Sequence, residues 1–98
     1  METNYEALGR CKKLSQEIET LKATRQRAFV DLRGQLAASG NPPIMSSTVI
    51  TFNADEAYKK LKTLEATDIE LMQAISEYNE WAPQADERLI ALKAPRES

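Results

Sequence analysis

The chain contains no histidine, and that gap removes most familiar catalytic options. Ser-His and Cys-His pairs need an imidazole base, and most zinc sites need an imidazole ligand. The single cysteine cannot close an internal disulfide, which fits a reducing compartment. With three glycines in all, there is no Gly-rich phosphate loop. Carboxylate pairs occur at Glu77/Glu80 and Asp86/Glu87, but they lack the converging partners that acid–base catalysis requires. The expectation is a protein that is not an enzyme and that carries no cofactor and no metal.

Long apolar runs are missing too. Nothing approaches the roughly 18 residues that a transmembrane helix needs. The opening stretch METNYEALGRCKK lacks the basic-then-apolar layout of a secretory signal. A cytoplasmic protein with no membrane association is therefore expected. Thirteen Lys/Arg against fifteen Asp/Glu is nearly balanced, which argues against a dedicated nucleic-acid binder.

What is present is heptad spacing. Thr3 and Glu6 stand at capping-box distance, so a helix is expected from about residue 4. Steps of four and three then run through Ala7, Cys11, Leu14, Ile18, Leu21, Arg25, Ala28, Leu32 and Gln35, the a/d seam of a coiled-coil-like helix. Ser39-Gly40 before Asn41-Pro42-Pro43 is a stop signal. That puts the first helix at about residues 4–38. Asn53, with Asp55 and Glu56 behind it, signals a second start. The alternation resumes at Ala57, Leu61, Leu64, Asp68, Leu71, Ile75, Tyr78, Ala82, Ala85, Leu89 and Leu92. Pro83 lies within that run and predicts a kink, with helix two reaching about residue 94.

Two seamed helices joined by a turn predict an all-α fold: an antiparallel two-helix hairpin forming one domain over residues 1–98. In that register Arg25 meets Asp68, a structural ion pair inside an apolar seam. A buried pair of this kind fixes register more than it adds stability. Cys11 falls on the seam, where a thiol behaves as a small hydrophobe. A reactive role would need a lowered pKa, and its basic neighbours along the helix point elsewhere.

A second apolar set flanks the seams, including Leu8, Phe29, Leu36, Tyr58, Ile69, Met72, Trp81 and Ile90. Two helices cannot cover it. The economical solution is a homodimer forming a four-helix bundle, with Phe29, Tyr58, Met72 and Trp81 at the dimer or partner interface. Trp81 has a plainer alternative, packing over the Pro83 kink.

The connecting segment, residues 39–53, holds no charge in a chain that is 29% charged. Its STVITF run is β-branched, which is how a short strand reads, so a short β-like segment is expected in the loop. Three roles stay open. It plugs the end of the hairpin through Ile44, Ile50 and Phe52; it pairs with its copy in a second subunit; or it is a partner-binding tip presenting Ile44, Met45, Val49, Ile50 and Phe52. The expected function is a non-catalytic protein–protein interaction module, such as an adaptor, inhibitor or assembly factor, with a protein partner. The alternatives are a nucleic-acid-associated helical dimer using the basic face of helix one, and a structural subunit of a larger assembly.

Overall fold

The computed structural model describes residues 4–40, 47–93 and 95. Its first helix, α1, spans Tyr5–Gly40 and its second, α2, spans Ala54–Trp81; a 3₁₀ turn follows at Ala82–Ala85. The helices pack along each other as a hairpin, and the molecule extends 73 Å along its longest axis. The chain is all-α.

Asparagine opens both helices. Asn4 Oδ1 accepts from the backbone N–H of Ala7 at 3.0 Å, and Asn53 Oδ1 accepts from that of Glu56 at 3.1 Å. Each satisfies a donor that the first helical turn cannot pair internally. The expected capping threonine, Thr3, lies outside the described residues.

The core occupies one half of the rod. Ile18 packs with Leu71, Ala74 and Ile75, and Leu21, Tyr78 and Ile90 close around them. Ala7, Cys11, Leu14 and Ala82 are also buried in this half, which is called proximal below. Toward the loop, in the distal half, the buried apolar positions among the described residues are two alanines, Ala28 and Ala57. On α1 the buried positions follow the row of fours and threes. On α2 and the turn after it, the expected positions Ala57, Leu71, Ile75 and Ala82 are buried, and Leu64 and Tyr78 half-buried. At two steps the seam shifts by one residue: Thr67 is buried and Lys60 half-buried, while Leu61 is exposed and Asp68 half-exposed. Thr67 tolerates this because its hydroxyl donates to the carbonyl of Thr63 at 2.9 Å.

Three expectations are corrected. No strand forms among the described residues of the connection, so the short β-like segment is absent there. A β-branched run needs a strand edge to pair with, and this hairpin offers only helices. Ile50 and Phe52 are exposed, so they do not plug the hairpin; Ile44 and Met45 lie outside the described residues. Finally, α2 does not kink at Pro83 and continue, but ends at Trp81. Pro83 has no N–H for the carbonyl of Asn79. Asp86 then takes the left-handed conformation, φ 56°, ψ 38°, and the N–H of Glu87 bonds to the carbonyl of Ala82 at 2.9 Å. The chain reverses there, and residues 87–93 run back along the hairpin without helix.

Candidate interaction surface

Arg25 and Asp68 mark one face of the hairpin. Arg25 Nε donates to Asp68 Oδ1 at 2.7 Å, with both side chains about half exposed, 48% and 47%. The pair bridges the helices at the edge of the seam instead of inside it, so its net worth is that of a surface pair, about 0–1 kcal/mol.

Residues three, four or seven apart share a helix face. On α1, Phe29 and Leu36 stand on the Arg25 side; on α2, Leu61, Met72, Ile75 and Asn79 stand on the Asp68 side. One long face therefore runs from the loop end to the 3₁₀ turn, and its two halves differ in cover. Over the proximal half lie residues 87–93. Asn79 holds them: its Oδ1 accepts from the N–H of Ile90 at 2.8 Å and its Nδ2 donates to the carbonyl of Ile90 at 3.0 Å. The Ile90 side chain packs on the core, while Leu89 and Leu92, expected on the seam, are exposed. The segment is thus anchored at Ile90, with the leucines on either side left in contact with water.

Among the described residues, the distal half has no such cover. Phe29, Leu36, Tyr58 and Leu61 are exposed there. Both aromatic rings carry a cation one turn on: the Arg33 guanidinium sits 5.0 Å from the Phe29 ring and the Lys62 ammonium 5.3 Å from the Tyr58 ring. Beyond them Val49, Ile50 and Phe52 of the connection are exposed as well. Met72 is exposed at the border between the halves.

Trp81 sits elsewhere. It is half-buried beneath the Arg10 guanidinium, 4.8 Å from its ring.

Cys11 and Tyr78 share a cleft with Glu87. Burial first, and the Glu87 carboxylate second, push the Cys11 thiol up. Tyr78 is raised by the same two causes and then by Cys11. A thiol held protonated is a poor nucleophile. Among the described residues no group of His, Cys, Asp and Glu side chains is placed to hold a metal ion, and no helix is long and apolar enough to cross a membrane.

The sequence reading missed Asn79. An amide that grips a segment eleven residues on leaves no periodic trace. The available signal was a poor helix former four residues before Pro83.

Comparison with protein-family models, curated proteins and solved structures finds no match. A functional reading therefore rests on this chain's own residues.

Proposed function

We propose that the chain is a non-catalytic protein–protein interaction module that pairs with a second copy through its distal apolar face. The observation that carries this is the uncovered row of Phe29, Leu36, Tyr58 and Leu61, on helices whose distal core holds only alanines among its buried apolar side chains. Large apolar side chains grouped on one end of a helical pair commonly mark a binding surface.

Two further facts support the second copy as occupant. The chain exposes 8187 Å², against about 5,600 Å² for a compact protein of 11.0 kDa. That excess exceeds the roughly 800 Å² each partner contributes to a standard interface. The helices also carry opposite charge: α1 has seven Lys/Arg against four Asp/Glu, and α2 has three against seven. Laying α1 of one copy against α2 of the other opposes unlike charges, giving a four-helix arrangement in the distal half. The exposed Val49, Ile50 and Phe52 then stand at the end of the bundle, available to a target protein.

Sedimentation velocity tests the pairing. Wild type should sediment as a dimer, and Phe29→Glu/Leu61→Glu as a monomer with unchanged helical circular dichroism. Wild type remaining monomeric across its soluble range would sink the proposal.

A further inference from the structure

We infer that residues 87–93 are an exchangeable ligand of their own hairpin, and that the proximal groove takes the same segment from a second copy. The groove is a binding site for a non-helical segment with one apolar anchor, and it has two recognition elements. Asn79 reads backbone, because its amide satisfies both the N–H and the C=O of one residue, Ile90. The apolar cluster of Ile18, Leu71, Ala74 and Ile75, against which Ile90 packs, reads the side chain. Backbone pairing combined with one apolar pocket is how proteins bind extended peptides in trans.

The segment is lightly held. Its neighbours Leu89 and Leu92 face solvent, and beside it an open cleft of about 490 Å³ runs on past Leu92 and Met72 to Arg25 and Asp68. Few buried contacts place a segment at the low-stability end of local opening. Its hinge is Asp86, the one non-glycine residue with positive φ among the described residues, a conformation that aspartate adopts more readily than most residues with Cβ and can leave at little cost. Reciprocal exchange between two copies restores every Asn79–Ile90 contact, the circumstance in which chains swap elements. This inference does not rest on the distal pairing proposed above, since it uses the opposite half of the rod.

The test uses full-length chain and a labelled synthetic peptide of residues 86–93. Ile90→Asp should free the groove and bind the peptide saturably. Asn79→Ala/Ile90→Asp should bind at least tenfold more weakly, and a scrambled peptide should not bind. Absent binding to a helical Ile90→Asp chain overturns the inference, as does equal binding by the double variant. Wild-type hydrogen exchange gives a reading that does not depend on any variant's folding. The Ile90 amide should exchange on the order of 100-fold faster than that of Ile75, and equal rates overturn the inference.

The source of the occupant is read with Glu87→Cys, which adds a thiol beside Cys11. Oxidation should give an intramolecular disulfide in dilute protein and a covalent dimer in concentrated protein, the latter lost with Asn79→Ala. Distal pairing does not bring these two thiols together between copies. Peptide binding without any covalent dimer overturns the second copy as occupant and leaves the groove to a segment of another protein.

Discussion

Asn79 holds Ile90 by both ends of its amide, accepting at 2.8 Å and donating at 3.0 Å, across a reversal that begins at Pro83. Asn79→Ala should remove both bonds and cost about 1–2 kcal/mol. Asn79→Asp, which keeps the acceptor but sets a carboxylate oxygen against the Ile90 carbonyl, should cost at least as much as alanine. Urea denaturation followed by circular dichroism measures both. A neutral Asn79→Ala would show that the amide does not secure the segment.

The core is uneven, and substitutions should report that. Ile18, with 2% of its surface exposed, should lose about 2–5 kcal/mol on truncation to alanine and about 0.5–1.5 on change to valine. Leu61→Ala should cost under about 0.5 kcal/mol in a monomeric background, for example one carrying Phe29→Glu. Comparable losses at both sites would contradict the division of the rod into a packed and an unpacked half.

Arg25→Ala and Asp68→Ala should each cost at most about 1 kcal/mol, with a double-mutant-cycle coupling that shrinks in high salt. A pair buried in the seam would instead lose about 3–5 kcal/mol on removal of one partner. The size of the coupling therefore decides between edge and seam.

Alkaline pH should weaken the fold. Cys11 and Tyr78 are both raised by burial and by Glu87, from ordinary values of 9.0 and 10.0. Above those values the unfolded chain releases protons that the folded chain keeps, so the unfolded state binds fewer and stability falls as pH rises. Denaturation midpoints should hold near neutrality and drop from about 9.0 upward. In Cys11→Ala the drop should begin nearer the tyrosine value. An unaltered onset in that variant would remove the thiol from the account.

Much of the fold is legible in the residues, and the exceptions share a cause. The α1 row reads largely correctly because its buried positions Ala7, Cys11, Leu14, Ile18 and Ala28 keep one spacing of fours and threes. On α2 two strips compete: Leu61 and Asp68 fit a heptad as well as Lys60 and Thr67 do. Polarity misleads there, since threonine can return its hydroxyl to the helix and lysine can bury its stem. Leu89 and Leu92 lie in phase with the seam, so spacing alone carried α2 too far. The deciding facts, a missing N–H at Pro83 and a left-handed Asp86, are backbone properties with no periodicity. Of the residues expected at an interface, Phe29, Tyr58 and Met72 are exposed on or beside the marked face, whereas Trp81 lies beneath Arg10.

The alanines at positions 28 and 57 also bear on how the molecule yields to load. The buried large side chains of the described residues gather around Ile18, with only half-buried ones, Leu32 and Leu64, toward the connection. The hairpin therefore behaves as a clothes-peg, sprung at the end where the core lies and looser at the end where the connection lies. Pulling on the connection should part the arms as far as the Arg25–Asp68 bridge before the proximal core resists. A partner gripping the loop end would therefore set the spacing of the two helices there, while the far end keeps its shape.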